Sequence, residues 1–267
     1  MISPADVSLE GRVAIVTGGA QGIGEGIALG FASFGADVAL CDRNADGLDA
    51  VASQVESLGR RCLTSVMDVR DPAAVESFVS ETVSRLGRLD VLVNNAGGGF
   101  FAPFMDVNAK GQTALVNENF TSVTDFVRCC VPVMSDGGSI INITSIEAFR
   151  AAPGFAVYAA MKAGVEQLTR SLALELSDRR IRVNTIAPDA TPTPGDTGLA
   201  AAVGPGGDPD YGWKIPLGLG TPDDTAGAAV FLACDLSKWV TGTTMHVDGG
   251  SMAASGWRRR PDGVFEP

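Results

Sequence analysis

The chain has 267 residues, of which 45% are hydrophobic and 19% are charged, a composition typical of a folded protein with a substantial core. Its formal net charge of −11 disfavours binding to nucleic acid or to an anionic membrane surface. No apolar stretch approaches the ~20 residues of a membrane span, and the first residues lack the basic and apolar regions of a signal peptide. We therefore expect a cytoplasmic protein that binds neither nucleic acid nor membrane.

Short runs rich in β-branched residues alternate along the chain with longer segments of helical periodicity. Strands are predicted at residues 12–17, 37–42, 62–67, 89–94, 139–144, 181–186 and 244–247. Helices are predicted to begin near residue 22 and to span residues 45–58, 72–86, 116–134, 157–176 and 222–234. Because the strands are apolar on both faces, this order predicts an α/β fold of the Rossmann type, a doubly wound sheet of about seven parallel strands with helices on both faces.

No linker, charge block or internal repeat interrupts this alternation, so residues 1–267 are interpreted as a single domain. Two segments depart from it. Residues 188–220 are rich in Pro and Gly and are too long for an ordinary connection, which is typical of a functional loop. The tail at residues 249–267 lacks helix or strand periodicity and contains three consecutive arginines at residues 258–260.

The cysteines and the histidine favour packing roles over redox or metal chemistry. The five cysteines form neither an even set nor a C-x-x-C pair, so they are interpreted as reduced and buried. Adjacent Cys129 and Cys130 would point about 100° apart on a helix, which disfavours a redox pair. His246 is the only histidine and lies in an alternating strand pattern, so no metal site is expected.

A glycine-rich turn follows the first predicted strand and contains Gly18, Gly22 and Gly24. Glycines here allow a tight turn and let a pyrophosphate approach the N-terminus of the next helix, where free N–H groups favour negative charge. Asp42 ends the second predicted strand, near the ~20-residue offset at which an acid binds a ribose 2′-hydroxyl. A 2′-phosphate would be repelled by Asp42 and attracted by Arg43. The carboxylate favours NAD over NADP as the cofactor.

Further motifs follow in a fixed order over about residues 9–250. They are T-G-x-x-x-G-x-G at Thr17 to Gly24, Asp68 in M-D-V, N-N-A-G at Asn94 to Gly97, Asn119 in N-F-T-S-V, Ser145 in I-T-S, and Y-x-x-x-K at Tyr158 to Lys162. In this combination the chain resembles the short-chain dehydrogenase/reductase family, in the type that carries the TGxxxGxG and YxxxK motifs. The resemblance implies a catalytic set of Asn119, Ser145, Tyr158 and Lys162.

The resemblance also extends the predicted cofactor site. Together with the glycine-rich turn and Asp42, it implies contacts from Gly18, Gln21, Gly22, Ile23, Gly24, Asp42, Arg43, Asp68, Val69, Asn95, Ala96, Gly97, Tyr158, Lys162, Pro188 and Thr193. It implies that Asp68 lies beside the adenine and that Ile186 and Thr193 hold the nicotinamide carboxamide. It further implies that Lys162 binds the nicotinamide ribose and that Asn119 holds a water linking this lysine to solvent.

Alcohol oxidation requires several of these groups on chemical grounds alone. Removing the alcohol proton needs a base near the working pH, and a phenol with a pKa of about 10 must first be acidified. Tyr158 and Lys162 stand at i and i+4 on a predicted helix, so the ammonium can stabilise the phenolate. Ser145 follows the fifth predicted strand and can donate a hydrogen bond to the substrate oxygen. The strand ends bring these groups to the carboxyl edge of the sheet.

Two residues depart from the family pattern. Asp189 follows Pro188 where the family usually has glycine, so an extra carboxylate is expected near the reactive end of the cofactor. Met161 replaces a small residue before Lys162 and is expected to matter less.

We expect an NAD(H)-dependent oxidoreductase that interconverts a secondary alcohol and a ketone by hydride transfer. Glu147, Phe149, Phe155 and the loop at residues 188–220 favour a bulky, partly hydrophobic small-molecule substrate, and the resemblance adds the 3-oxoacyl, hydroxysteroid and coenzyme-A-linked types. The alternatives are an NADP-dependent enzyme similar to 3-oxoacyl reductases, a related enzyme that catalyses epimerisation or dehydration, and a non-catalytic dinucleotide-binding regulator of the same fold.

The resemblance implies a homotetramer, since the family usually packs two long helices across subunit boundaries and residues 116–134 and 157–176 supply apolar faces for such packing. A dimer is the second possibility. The arginines at residues 258–260 have two interpretations. They belong either to a solvated or subunit-contacting end, or to a segment that grips the phosphates of a coenzyme-A thioester.

Overall fold

The apolar strand segments form one parallel sheet in the computed structural model, which describes residues 1–193, 211–260 and 262–266. The strands are β1 (Val13–Thr17), β2 (Asp37–Asp42), β3 (Cys62–Val66), β4 (Val91–Asn94), β5 (Ser139–Ile143), β6 (Arg182–Pro188) and β7 (Thr244–Val247). Their spatial order is β3-β2-β1-β4-β5-β6-β7, and neighbouring strands pair in parallel. The predicted Rossmann-type sheet is confirmed.

Helices cover both faces of this sheet. They are α1 (Gly22–Ser33), α2 (Ala45–Ser57), α3 (Pro72–Leu86), α4 (Ala109–Val116), α5 (Ser122–Cys130), α6 (Ala156–Glu175), α7 (Tyr211–Lys214), α8 (Pro222–Ala233) and α9 (Ser251–Ala254). Successive residues of β1 face opposite cores: Val16 packs with Phe31 of α1, and Ile15 packs with Phe78 of α3 and Phe126 of α5. Burial on both faces explains why the strands are continuously apolar.

Helix α3 shows which sequence signals fix a boundary. Asp71 caps its N-terminus by accepting from the backbone N–H groups of Ala73 and Ala74, Pro72 occupies the first helical position, and Gly87 ends it in the left-handed conformation. The predicted bounds match the observed ones at both ends.

The helix predicted at residues 116–134 is wrong in its start and in its continuity. Helical structure begins seven residues earlier, at Ala109, where the Asn108 side chain accepts from the Gly111 N–H. Its first turns are exposed and polar, so they carry no apolar periodicity. A π-helical turn over Asn117–Thr121 then separates α4 from α5. Asn119 lies in this turn, and its side chain donates to the Leu115 carbonyl of α4. A π turn commonly marks a functional position in a helix.

The tail contains regular structure that its sequence does not announce. After β7 the chain forms α9 and a short antiparallel ladder of β8 (Arg258–Arg259) and β9 (Phe265–Glu266). Most of the predicted substrate loop, residues 194–210, lies outside the described residues, as do the side chains of Arg258 and Arg259. All five cysteines lie within the described residues and are free thiols. The interpretation that all are buried is wrong for Cys62 and Cys129, which are partly exposed.

Candidate active site

The glycine-rich turn between β1 and α1 is too tight to accept side chains. Gly18 and Gly22 have positive φ angles of 66° and 60°, a conformation that favours glycine. A Cβ at Gly24 would lie 2.0 Å from the Gly18 carbonyl oxygen, and a Cβ at Gly22 would lie 2.9 Å from Thr193 Cγ2. The first N–H groups of a helix lack an intrahelical acceptor, and those of α1 lie at this turn. The turn therefore fits a pyrophosphate at close range.

Asn95 ties the end of β4 to this turn. Its Nδ2 donates to the carbonyl oxygens of Thr17 and Gly18 at 2.9 and 3.1 Å. The backbone N–H groups of Asn95 and Ala96 both donate to Thr17 Oγ1. These bonds fix the N-N-A-G segment against β1, so the two segments form one rigid wall at the carboxyl edge of the sheet.

Asp42 stands at the end of β2, beside the glycine-rich turn. One carboxylate oxygen accepts from the Ala20 N–H at 3.2 Å and the other from the Asn44 N–H at 3.0 Å. The neighbouring Arg43 side chain is largely exposed and forms an ion pair with Glu118 at 3.7 Å. Asp42, which favours NAD, is therefore held by backbone N–H groups. Arg43, which favours NADP, is held by the side chain of Glu118.

Asp68 follows β3 and is held by Arg70. The Nε of Arg70 donates to both oxygens of the Asp68 carboxylate. Hydrogen bonding to Arg70 lowers the pKa of Asp68 to about 2 against the opposing effect of partial burial. The carboxylate predicted to lie beside the adenine is thus ionised at any working pH. Sequence reasoning missed Arg70 and Glu118, although each lies within two residues of a predicted site residue.

Tyr158 and Lys162 share one face of α6. Lys162 Nζ lies 5.5 Å from the centroid of the Tyr158 ring and donates to the Ile143 carbonyl at 2.9 Å. The lysine is only 5% exposed. Burial lowers the pKa of Lys162 to about 8, while the carboxylate of Glu118 acts in the opposite direction. The ammonium therefore titrates near the working range of an enzyme, and it lies beside the phenol.

Asn119 is fully buried and braces the segment that follows N-N-A-G. Its Nδ2 donates to the carbonyls of Gly98 and Leu115, and its Oδ1 accepts from the Gly98 N–H. Gly97 lies between this amide and the lysine: a Cβ there would be 2.8 Å from Asn119 Oδ1 and 3.2 Å from Lys162 Nζ. The structure thus brings Asn119, Gly97 and Lys162 together, as the predicted site requires.

Ser145 lies two residues beyond β5 and is almost completely buried. Its Oγ accepts from the Glu147 N–H at 3.1 Å. Because the hydroxyl oxygen is the acceptor in this bond, the hydroxyl proton can be donated elsewhere. The same strand end is linked to α6, because the Ile143 carbonyl accepts a hydrogen bond from Lys162 Nζ.

Pro188 ends β6, and Asp189 and Thr193 follow it. Pro188 pairs with Val247 in the sheet, and the Asp189 N–H donates to the Val247 carbonyl at 3.3 Å, so the aspartate continues the backbone path of the strand. Its carboxylate accepts from Ser251 Oγ and lies 3.8 Å from Arg150. Asp189 therefore joins the segment after β6 to α9 and to the segment after β5.

One aromatic ring lies against Tyr158, and others lie near the same edge of the sheet. Phe155 lies with its ring centroid 6.5 Å from that of Tyr158 and 5.6 Å from that of Phe101. Phe149 contacts His246 with centroids 4.9 Å apart. Phe101 and Phe149 are both more than one third exposed. The approach to Tyr158 therefore presents apolar surface.

A cavity of about 220 Å³ lies next to these rings, lined by Arg150, Lys214, Ile215, Ser251, Ala254, Gly256 and Trp257. Arg150 pairs with Glu147 at 2.7 Å. The tail thus brings Trp257 back toward the carboxyl edge of the sheet. Arg260 pairs with Asp262 at 2.8 Å.

The remaining predicted cofactor residues lie on two sides of the sheet. Gln21 precedes α1 in extended conformation, Ile23 packs against the core beside β1, and Val69 is buried in the opposite core.

The described ranges hold no group of three or more His, Cys, Asp or Glu residues placed to bind a metal ion. Their helices are each too short or too polar to cross a membrane.

Comparison with known proteins places this arrangement in a family. A family model described as enoyl-(acyl carrier protein) reductase matches residues 18–252. The 3-oxoacyl-[acyl-carrier-protein] reductase FabG of Thermotoga maritima is 37% identical, with 91% of this chain and 98% of that protein covered. The crystal structure of a short-chain type dehydrogenase/reductase from Mycobacterium marinum is 30% identical with a TM-score of 0.86, covering 92% of this chain and 98% of that one. The chain belongs to the short-chain dehydrogenase/reductase family.

A second structure of this family adds a cofactor and a substrate class. It is a 7α-hydroxysteroid dehydrogenase complexed with NADH and 7-oxo glycochenodeoxycholic acid, 34% identical with a TM-score of 0.88, covering 94% of this chain and 98% of that one. This short-chain dehydrogenase/reductase is therefore an oxidoreductase of a family that binds nicotinamide dinucleotides. The tight turn, the N-terminus of α1 that lies at it and the nearby Asp42 carboxylate fit such a cofactor.

Proposed function

We propose that this chain is an NAD(H)-dependent oxidoreductase that interconverts a secondary alcohol and a ketone, with Tyr158 as acid/base. The observation that carries the proposal is the buried Lys162 ammonium 5.5 Å from the Tyr158 ring centroid, on a sheet edge that also holds the glycine-rich turn. The chemistry that a bound nicotinamide supplies is acceptance of a hydride from the alcohol carbon, or its return to a ketone carbon.

Tyr158 takes the hydroxyl proton of the alcohol during oxidation and returns it during reduction. A positive charge near a phenol lowers its pKa because it stabilises the phenolate. Lys162 is suited to this role because its ammonium is buried, where the interaction between two charges is stronger than in water. Its bond to the Ile143 carbonyl fixes the position of Nζ.

Ser145 positions the reacting oxygen, and Asn119 shapes the site around it. The Ser145 hydroxyl can donate to the substrate oxygen while its own oxygen accepts from Glu147. Asn119 holds Gly98 in place, and the neighbouring Gly97 lies close to both the Asn119 amide and Lys162 Nζ. A water held near Asn119 would carry the proton from Lys162 to solvent.

Charge at the adenosine end supports NAD over NADP. The Asp42 carboxylate is fixed beside the turn that would hold the pyrophosphate and is suited to accept hydrogen bonds from ribose hydroxyls. Arg43, which would favour a 2′-phosphate, is paired with Glu118, and it also lowers the pKa of Asp68. Acidic side chains therefore outnumber the basic ones that could bind a 2′-phosphate at the adenosine end of the site.

The substrate side supports a bulky, partly hydrophobic small molecule of the 3-oxoacyl, hydroxysteroid or coenzyme-A-linked type. The rings of Phe155 and Phe101 lie in sequence beside Tyr158, and relatives named for 3-oxoacyl and steroid substrates resemble the chain over most of its length. An NADP-dependent 3-oxoacyl reductase is the second candidate, favoured by the exposed Arg43.

We further propose a cytoplasmic homotetramer with helices α5 and α6 at its subunit boundaries. Exposed apolar side chains on these elements, including Val133 just after α5 and Leu174 of α6, support an interface there. Sedimentation at micromolar concentration tests the assembly, and a monomer would contradict it.

A panel of secondary alcohols and ketones with NAD(H) and NADP(H), followed by near-ultraviolet absorbance of the reduced cofactor, tests the proposed function. We expect turnover of at least one bulky alcohol or ketone with NAD(H) preferred. Preference for NADP(H) would support the second candidate. Tight cofactor binding without turnover of any member, in a panel that includes 3-oxoacyl and steroid ketones, would support a non-catalytic regulator.

A further inference from the structure

Helix α6 carries another ionisable side chain in line with its two predicted catalytic residues. Tyr158, Lys162 and Glu166 are spaced i, i+4 and i+8 and so lie on one face of the helix. Glu166 is 3% exposed. The proposed reaction assigns it no role, and a buried carboxylate is costly unless hydrogen bonds satisfy it.

Glu166 is satisfied by three threonine hydroxyls from three neighbouring strand segments. Thr144, directly after β5, donates to Oε1 at 2.6 Å. Thr185 of β6 donates to Oε2 at 3.0 Å, and Thr244 of β7 donates to Oε2 at 2.6 Å. The carboxylate therefore fastens α6 to the carboxyl half of the sheet at the level of the proposed catalytic residues.

One of these bonds is made to the residue next to the proposed catalytic serine. Thr144 lies between Ile143, whose carbonyl accepts from Lys162 Nζ, and Ser145. Two successive residues of one strand end are thus bonded to two successive turns of α6. The Thr144 hydroxyl also approaches the Ile186 carbonyl at 3.2 Å, so β6 completes the attachment.

We propose that Glu166 is a positioning residue, which acts through Thr144 to hold Ser145 at a fixed distance from Tyr158 and Lys162. This inference rests on the proposed function. Catalysis by oriented groups is sensitive to displacements of the order of 1 Å, which can lower a rate by about 10²-fold. A salt bridge or an apolar contact would hold the helix, whereas hydrogen bonds to Thr144 also fix the register of the strand end that carries Ser145.

The chain supplies a matched pair of variants for the test. Thr144→Val and Thr185→Val each remove one buried hydroxyl that donates to Glu166, from residues that are 2% and 0% exposed. We expect both variants to lower the melting temperature by similar amounts. Only Thr144→Val is expected to lower kcat for alcohol oxidation, by about 10-fold to 10²-fold, with the KM for the cofactor unchanged.

The kinetic isotope effect separates positioning from loss of folded protein. With an alcohol deuterated at the reacting carbon, we expect Thr144→Val to show a larger isotope effect on kcat than wild type, because hydride transfer becomes slower than product release. A variant that merely contains less folded protein shows an unchanged isotope effect. Equal kcat losses in Thr144→Val and Thr185→Val, or an unchanged isotope effect in Thr144→Val, would overturn the proposal.

Substitutions of Glu166 itself give the second comparison. Glutamine can accept from Thr144 through its oxygen and donate to Thr185 and Thr244 through its amide, so Glu166→Gln is expected to retain kcat within a few-fold. Glu166→Leu cannot make these bonds and is expected to match Thr144→Val in kcat and isotope effect. Equal loss of activity in both Glu166 variants would contradict positioning through hydrogen bonds.

Hydrogen exchange of the peptide that spans residues 139–149 needs no substrate. We expect faster exchange at the amides of Ser145 and Ile146 in Thr144→Val and Glu166→Leu than in wild type and Thr185→Val. Unchanged exchange in these two variants would overturn the positioning role even if the proposed reaction is correct. Faster exchange in these two variants, together with a wild-type protein that oxidises no alcohol, would support the positioning of this segment by Glu166 and contradict the proposed function.

Discussion

Two buried cations lie at opposite ends of the parallel strands, and their surroundings differ. Lys162 lies at the carboxyl ends, where it donates to the Ile143 carbonyl and faces the Tyr158 ring. Arg182 lies at the amino end of β6, where it donates to Ser237 Oγ at 2.7 Å and to the Cys234 carbonyl at 3.5 Å. One cation lies beside a reactive group, and the other lies at the end of a helix.

The arginine edge is built for attachment. Arg182 and Arg12 meet the end of α8, where Arg12 donates to the Ala233 carbonyl at 2.7 Å and pairs with Asp235. Positive charge at a helix C-terminus is stabilising because it interacts with the free carbonyls and the helix dipole. Burial lowers the pKa of Arg182 to about 10, so the guanidinium remains charged at neutral pH.

The lysine edge holds the groups that we propose for proton transfer. Burial lowers the pKa of Lys162 to about 8, so a small change in pH or in neighbouring charge alters its protonation. Similar burial thus has different consequences, because the ordinary pKa of a lysine starts nearer to neutrality. The comparison indicates that the protein accepts an unfavourable buried charge at its carboxyl edge where the chemistry needs one.

Tyr158→Phe, at the carboxyl edge, is expected to cause the largest loss of turnover. The substitution removes the proton-transferring hydroxyl and keeps nearly the same volume, so we expect turnover to fall by at least ~10²-fold. Affinity for NADH and the melting temperature should stay close to wild type. Alcohol oxidation assays measure turnover, and titration of cofactor fluorescence measures the affinity for NADH. Near-normal turnover would contradict the role of Tyr158.

Lys162→Met should lower activity and raise stability. We expect turnover to fall by at least ~10²-fold because the phenol is no longer acidified. The pKa of Lys162 is lower in the folded chain than its usual value of 10.5, so the buried charge destabilises the fold below pH 8 and this cost disappears as pH rises toward 10.5. Urea unfolding at several pH values should show a stability gain over wild type that shrinks across this range. A loss of stability at neutral pH would contradict the comparison.

Arg182→Met should have the opposite effect on stability and little effect on chemistry. Burial lowers the pKa of Arg182 as it does that of Lys162, but Arg182 makes two side-chain hydrogen bonds at the end of α8. We expect the loss of these interactions to outweigh the relief from burying the charge, so the free energy of unfolding should fall by about 1–3 kcal/mol. The turnover of the folded protein should remain within a few-fold of wild type. Denaturant unfolding measures the first quantity, and a large loss of kcat per folded molecule would show that the amino edge also serves catalysis.

Asp42→Ser should change cofactor preference by about 10-fold, the smallest of these effects. It removes hydrogen bonds to the ribose and the repulsion of a 2′-phosphate, while Asp42→Asn serves as a control that keeps the size of the side chain. The ratio of kcat/KM for NAD and NADP measures the change. A wild-type protein that already prefers NADP would show that Arg43 determines the choice.

The sheet was predictable because the strands and most helices carry strong local signals. Two-sided apolar strands predict a parallel sheet, and Asp71, Pro72 and Gly87 predict the bounds of α3 to the residue. The exposed turns before Val116 lack apolar periodicity, and the π turn at Asn119 depends on a tertiary hydrogen-bonding environment. These features were invisible to reasoning from periodicity.

The site was predictable where a motif places residues at fixed spacing on one element. Tyr158 and Lys162 are adjacent because a helix places i and i+4 on one face. Glu118 and Glu166 were missed because their roles depend on contacts between distant segments, such as the bond from Thr244 to Glu166. Arg70 was missed although its partner Asp68 is only two residues away. Asp189 was noted as a departure from the family pattern, but its contacts with Ser251 and Arg150 required the fold.

The pH dependence of alcohol oxidation tests the role of the carboxyl edge most directly. Under conditions in which a deuterium isotope effect shows that hydride transfer limits the rate, the account predicts that oxidation speeds up from neutral pH toward the pKa of Lys162, about 8, as Tyr158 loses its proton with the help of the ammonium. In Tyr158→Phe this rise should be absent. A flat profile for the wild-type enzyme, with hydride transfer still limiting, would contradict the assignment of Tyr158 as the base.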